Sequence, residues 1–571
     1  MVKNTMNLFS NITRGGQLQI HQLRMFQQIF CFALIISFII SFAVFCHKLH
    51  QNIPEKDAKY THQYLKARFY LIIGTPLNKD VKQLIDNQEV SSLDITRHPI
   101  YYRSALRTLI VIKKQAFEAS IYFLVCFISI FTIWFLYGRN HKKTDITKGK
   151  NLISNKALCK ILRQQNLASD IVIESLPLVK NRELQHILVT GTTGSGKSNL
   201  FNIIIPQIRT RPNKALIIDV TGEYIAKFYN PKTDFIFNPL DARSINWNIW
   251  ADIQIPSHYD AFSASIIPSK KHQNDDIWDA SARIVLVEVM KKLKEDQRVS
   301  ELLRIICESS TKELEDYLKD TNAAKIITAS ADKTTLSVLM NLTTQITPLK
   351  LLQNPNNENS FSVRNWIAED NDNSWLFISA RSDQIDSLRP LISSITDTAL
   401  NALLSLDPSN SRRIWFIIDE LAKLNKLMSL APALAESRKY GGAIIAGIQS
   451  VAQLNDNYGH ALAQSITDMF STFFFFRSQN PMTTEWIAKI LGVVEQEELN
   501  EHTSYGASSM KDGVSFSKQT KSKQLVLPIE IANLPDLTAY VKYASLDATK
   551  LIMQYQQTRI INQAFILKEN F

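Results

Sequence analysis

The sequence predicts an α/β protein in which a parallel sheet carries helices on both faces, an all-α segment is inserted, and two transmembrane helices come first. Three observations lead there. Two long apolar runs lie within the first 140 residues, a glycine-rich loop follows an apolar strand near residue 190, and short apolar runs recur downstream. At 571 residues more than one domain is expected. The apolar content of 45% and charged content of 20% describe a folded chain rather than a disordered one. The net charge of +11 suits nucleic acid, anionic lipid or a cytoplasmic membrane-protein surface, and does not choose among them. The five cysteines show neither zinc-ligand spacing nor a disulfide framework, so inert thiols are expected.

The first apolar run, IFCFALIISFIISFAVFC (29–46), is uncharged and, at about 1.5 Å per residue, nearly covers a hydrocarbon core of about 30 Å. It is longer than the apolar region of a cleaved signal, and its leader is too long for one. The second, ASIYFLVCFISIFTIWFLYG (119–138), ends in Trp134 and Tyr137, placed for an interfacial aromatic belt. Two spans return the chain to its starting side. The basic stretch RNHKKTDITKGK (139–150) suits a cytoplasmic flank. The loop between the spans is also basic, so the nucleotide site that follows decides: ATP is cytoplasmic, and residues 1–28 are expected inside, 29–46 and 119–138 in the lipid bilayer, and 47–118 outside as a small periplasmic domain.

HILVTGTTGSGKSNLFNIII (186–205) reads as strand, glycine-rich turn and helix, the context that distinguishes a phosphate-binding loop from a chance match. Gly191, Thr192, Thr193, Gly194, Ser195, Gly196, Lys197 and Ser198 are the expected cofactor-binding set for ATP. The glycines let backbone N–H groups face phosphates, and the helix adds its positive N-terminal end. Lys197 is expected to reach the β and γ phosphates, and the Ser198 hydroxyl to hold Mg²⁺. RRIWFIIDELAKL (412–424) supplies the partner acids. Ile414 to Ile418 form a buried strand, and Asp419 and Glu420 emerge at its carboxyl end, where open α/β sheets place ligands. Asp419 is the expected Mg²⁺ partner through water, and Glu420 the expected catalytic base.

Further strands are expected at 215–220, 374–380, 443–449 and 473–479, giving one large parallel sheet of the P-loop, RecA-like ATPase type. Gln449 ends the third of these, either as a γ-phosphate sensor or simply as a polar strand end. Arg438 and Arg477 are both candidates for an arginine that stabilises transferred phosphate. Residues 270–365 show helical spacing and no convincing strand, so an all-α domain is expected between two parts of the nucleotide-binding domain, 139–269 and 366–571. The basic tract KDGVSFSKQTKSKQ (511–524) reads as a solvated loop rather than a DNA grip.

GTTGSGKS, IIDVTGEY, FNPLDARSINWNIW, WLFISARSDQIDSLRPLIS, WFIIDELAKL, ESRKYGGAIIAGIQSVAQL and FFFFRSQNPMTTEWIAKILG together resemble, block by block and in order, the TraD-like type IV secretion coupling proteins. The similarity runs over roughly residues 20 to 570. It implies an inner-membrane ATPase, a homo-hexamer with nucleotide sites between subunits, and a central channel for single-stranded DNA attached to a relaxase. It also implies type IV secretion channel components as partners. Arg438 matches the arginine that reaches a neighbour's nucleotide, and Gln449 the glutamine near the phosphates. Long relatives carry a polar or acidic tail that binds a DNA-processing accessory protein, whereas this sequence ends soon after IANLPDLTAYVKYASLDATKLIMQYQQTRI, so a separate adaptor or the inserted domain is expected to recognise the relaxosome. Two other readings stand beside this one: an ATPase receptor for protein effectors without DNA translocation, and a non-hydrolysing docking tether. Intact Lys197, Ser198, Asp419 and Glu420 argue against the tether.

Overall fold

The computed structural model describes residues 2–73, 82–85, 88–140, 145–268, 275–294, 296–352, 360–370, 372–504 and 513–568. The chain divides into two compact units, Met1–Thr144 and Asp145–Phe571.

The first unit is built from three long helices, α1 (Val2–Asn52), α2 (Glu55–Ile73) and α3 (Pro99–Asn140). Two stretches, Phe26–Asn52 and Pro99–Tyr137, are long and apolar enough to cross a membrane, with mean hydropathies of 2.9 and 2.3 over an 18-residue window in each. The runs expected at 29–46 and 119–138 thus sit inside helices that continue past them. The continuation has a polar cause. Beyond the apolar run, α3 pairs with α2 through Thr61 and Thr108, whose hydroxyls lie 2.9 Å apart, and through Ser104, which donates to Asp57 at 2.8 Å. Lys48 of α1 and Glu118 of α3 form an ion pair of 2.7 Å. Between α2 and α3 lie an antiparallel pair, Lys82–Ile85 with Gln88–Ser91, and the short helix Ser92–Arg97.

The second unit is organised by a ten-stranded sheet. Its strands are β1 (Leu152–Ile153), β2 (Ile187–Thr190), β3 (Lys214–Asp219), β4 (Phe235–Phe237), β5 (Trp375–Ser379), β6 (Ile414–Ile418), β7 (Gly442–Ile448), β8 (Thr472–Phe475), β9 (Thr538–Tyr543) and β10 (Ala548–Ile552). The spatial order is β1-β10-β9-β8-β2-β7-β6-β3-β5-β4. From β8 to β4 every neighbouring pair is parallel. The expectation of a wholly parallel sheet is corrected at the other edge, where β9 runs antiparallel to both β8 and β10. A tight turn joins β9 to β10, and two strands joined that closely can only pair antiparallel.

Central strands are apolar on both faces because both faces are covered. Along β6, Trp415 and Ile417 join a core with helix α4 (Lys197–Arg209), whereas Ile414, Phe416 and Ile418 join the core on the opposite side. β7 repeats the alternation, with Ala443 and Ile445 on the first side and Ile444, Ala446 and Ile448 on the second. A one-residue slip of either strand would exchange these two sets.

The insertion consists of α6 (Asp275–Lys292), α7 (Val299–Cys307), α8 (Thr311–Leu318) and α9 (Asp332–Ile346), with short 3₁₀ turns; α5 (Glu223–Phe228) precedes it. A reciprocal cap between Ser310 and Glu313 starts α8. Val285, Leu286, Val289, Leu302, Ile306 and Leu342 share one continuous core with the sheet and with α10 (Ile385–Leu404), so these helices extend the core rather than enclose a separate one. The expected upstream boundary at 269–270 lies outside the described residues. Downstream, Ser360–Phe361 pairs parallel with Asn246–Trp247, and the helix Val363–Ala368 is fastened to Asp252 by Ser362 Oγ and the Arg364 N–H.

The tract expected as a loop at 511–524 is corrected from Gly513 onward: Gly513–Gln524 is a strand antiparallel to Val493–Ser504, which also pairs with Asp145–Gly149. Its alternation of polar and apolar residues around Val514 and Phe516 suits a strand. Lys511 and Asp512 lie outside the described residues.

Phe377 of β5 is fully buried and meets the Tyr229 ring edge-on at 5.9 Å. Phe377→Ala should cost about 3–5 kcal/mol, seen as a lower urea midpoint with membrane insertion unchanged. A variant of unaltered midpoint would contradict this packing.

Candidate nucleotide site

The carboxyl ends of three adjacent parallel strands, β2, β7 and β6, carry the residues that sequence reasoning singled out. After β2 the chain turns through Gly191–Ser198 into α4. Gly194 and Gly196 take φ of +78° and +121°, where a side chain would be strained, and a Cβ on Gly196 would press on Leu537 and Phe476. The loop is pinned from below. Gly191 N–H donates to the Ile448 carbonyl at 3.1 Å, and Thr192 donates from both its N–H and its hydroxyl to the Arg477 carbonyl, at 2.9 and 3.1 Å. Ser195 Oγ closes the turn on the Thr192 carbonyl at 2.6 Å.

Asp419 and Glu420 follow β6, and Gln449 follows β7. Their level is set by a close approach: a Cβ on Gly447 would stand 2.0 Å from the Asp419 carbonyl oxygen. Lys197 Nζ donates to the Gly191 carbonyl at 2.5 Å and lies 3.5 Å from Glu420 Oε2. Burial pushes the lysine pKa down and the Glu420 pKa up, each partly offset by the other's charge. Glu420 Oε1 accepts from the Gln449 N–H at 3.2 Å, whereas Oε2, beyond its ion pair with Lys197, has no hydrogen-bond partner among the described residues. A buried carboxylate oxygen with a free lone pair is suited to accept from a water or hydroxyl.

Thr192, Thr193, Gly194, Gly196, Lys197, Ser198, Asp419, Glu420 and Gln449 all line one cavity of about 490 Å³. The expected set, apart from Arg438, is therefore brought together, with Gly191 and Ser195 shaping the loop beneath. Ser198 and Asp419 are the residues that could hold a divalent cation, and the loop N–H groups with Lys197 could hold phosphates. Arg438 lies elsewhere: it is exposed, in the 3₁₀ turn Ser437–Tyr440 at the amino end of β7. Arg477, the other candidate, is committed within the chain, to Asp536 at 2.7 Å and the Leu534 carbonyl.

Sequence reasoning missed several residues here. The Tyr224 hydroxyl donates to Asp419 Oδ1 at 3.0 Å, and Asp219, at the end of β3, caps α5 by accepting from the N–H groups of Glu223, Tyr224 and Ile225. Burial raises the Asp219 pKa to about 6 and that of Asp419 in the same direction. IIDVTGEY stood out as a block, but nothing in its composition reveals a contact across 195 positions. Asp536, Leu537 and Tyr555 also line the cavity and come from the edge of the sheet where the parallel expectation failed.

A profile of the type IV secretion-system coupling protein DNA-binding domain matches residues 170–554. The chain is also 31% identical over 585 aligned residues to coupling protein TraD of Escherichia coli (strain K12), covering 98% of this chain and 80% of that one. The chain belongs to the type IV secretion coupling protein family. Solved structures of the conjugative coupling protein TrwB agree in fold. Its unbound form superposes with a TM-score of 0.66 at 30% identity, over 74% of this chain and 96% of that one. The TrwB complex with ADP and Mg²⁺ gives the same score and identity over 75% and 98%. The α/β core, the mixed sheet and the helical insertion are thus those of a coupling protein, and the alignment with TraD, over 98% of this chain, extends across the two apolar amino-terminal helices.

Because Tyr224 holds one oxygen of Asp419, which lines the cavity, Tyr224→Phe should raise the Mg²⁺ concentration needed to strengthen ADP binding by about tenfold, one hydrogen bond to a charged group. ADP affinity in EDTA should stay unchanged. Equal losses with and without the metal would contradict the assignment.

Proposed function

We propose that this coupling protein is an ATP-hydrolysing, DNA-translocating motor of the bacterial inner membrane, recruiting a relaxase bound to single-stranded DNA and driving its passage through a type IV secretion channel. One observation carries the hydrolytic part: Glu420 Oε2, ion-paired with Lys197 but accepting no hydrogen bond among the described residues, is buried in the cavity that the phosphate loop lines. In this reading the loop N–H groups and Lys197 bind the phosphates, and Mg²⁺ neutralises phosphate charge between Ser198 and Asp419. Glu420 takes the proton of the attacking water and Gln449 orients that water. TrwB, the relative solved with ADP and Mg²⁺, supports this cofactor pair.

Arg438 supports an assembly of several copies. The seven residues of β7 separate it from Gln449 and span about 23 Å, which no arginine side chain bridges. In this reading it serves the neighbouring subunit's nucleotide, and a ring of six would satisfy every subunit in this way. The two apolar helices support a two-pass arrangement, with residues 47–118 periplasmic and both parts of the ATPase domain, 139–269 and 366–571, cytoplasmic around the 270–365 insertion. The family's DNA-binding profile and the basic net charge support DNA as cargo.

The direct test is Lys197→Ala in the full chain. Membrane insertion should be normal, ATP turnover should fall at least about a thousandfold, and conjugal transfer should be lost. Normal transfer by this variant would overturn the motor reading.

A further inference from the structure

His186 stands just before β2 and is 1% exposed, with a φ of +62° that few non-glycine residues adopt. Such a conformation persists only where its surroundings over-determine it. Here they do. The Ile444 N–H donates to His186 Nδ1 at 3.2 Å, so Nδ1 carries no proton. Nε2 must then hold the proton of the neutral ring, and it donates to the Leu434 carbonyl at 3.0 Å. Burial holds the ring neutral, with its pKa lowered to about 4. Its backbone is fixed as well, accepting from the Thr472 N–H at 3.3 Å.

Both ring partners belong to segments that lead to residues of the proposed mechanism. The β2–β7 ladder begins at Ile187 and Ile445, so the His186 ring satisfies the next β7 N–H, where β2 offers no further backbone partner. Leu434 lies in the last turn of α11 (Leu430–Glu436), which passes directly into the 3₁₀ turn Ser437–Tyr440, and its carbonyl accepts from the ring N–H. Four residues on is Arg438. One buried ring thus ties the strand that enters the phosphate loop to the segment that presents the arginine.

We propose that His186 is a positioning residue that fixes the Arg438 segment against the amino ends of β2 and β7, acting on the neighbouring subunit's hydrolysis rather than on its own. The inference rests on the reading of Arg438 as an arginine that acts across the interface.

The test uses full-length chains in detergent, mixed in defined ratios, with steady-state ATP turnover as the readout. His186→Ala alone should lower kcat by about a hundredfold, the scale of a displaced catalytic group, with KM for ATP within about twofold of wild type. Mixed with Glu420→Gln, which hydrolyses nothing but has an intact His186 and Arg438, the His186→Ala subunits should regain turnover. His186→Gln, whose amide can both accept and donate, should be less impaired than His186→Ala. If His186→Ala fails to fold, His186→Phe, which fills the space without polar atoms, replaces it. A raised KM, or no recovery in the mixture, would show a defect in the subunit's own site and overturn the proposal. The control is Arg438→Ala with Glu420→Gln: if that mixture also fails to recover, the reading of Arg438 itself is what fails.

Discussion

Three parallel strands that end at one level are the constraint on which this molecule depends. β2, β7 and β6 carry the phosphate loop, Gln449 and the Asp419–Glu420 pair, and only their register brings these residues to one cavity. The register is held in two ways. Alternate side chains belong to different cores, so a slip would reverse both faces at once. At the site itself Gly447 lets β7 pass so near the Asp419 carbonyl that no side chain fits between them.

The charged centre is arranged around that frame. Lys197 and Glu420 are both buried, and each is stabilised in its ionised form mainly by the other. A second line of contacts, Asp219 to the Tyr224 N–H and the Tyr224 hydroxyl to Asp419, transmits the position of β3 to the acidic pair. Opposite, at the amino ends of the same strands, His186 performs the corresponding task for α11. The sheet is thus fastened at both ends of β7, one next to its own cavity and the other next to Arg438.

Much of this was legible in the residues because it is local. GTTGSGKS between an apolar strand and a helix, and IIDE at the end of a buried strand, each carry their structural context within about twenty positions. The helical insertion was legible from periodicity. What escaped notice depends on contacts between distant segments. Tyr224 and Asp419, or His186 with Leu434 and Ile444, are partners only because the sheet order interleaves strands from separate parts of the chain. The antiparallel edge escaped notice because TAYVKY mixes polar and apolar residues, and a strand's residues do not show which way it points. Helix α3 outruns its apolar core where polar pairs with α2, such as Ser104 with Asp57, line it.

The central claim is that this cavity hydrolyses ATP in order to move DNA. It is tested most directly by the ATP turnover of the full-length chain in lipid nanodiscs, with and without single-stranded DNA, at low and high salt. The account predicts stimulation by DNA that falls steeply as salt rises, since phosphate contacts release counterions. A turnover indifferent to DNA at both salt concentrations would contradict it.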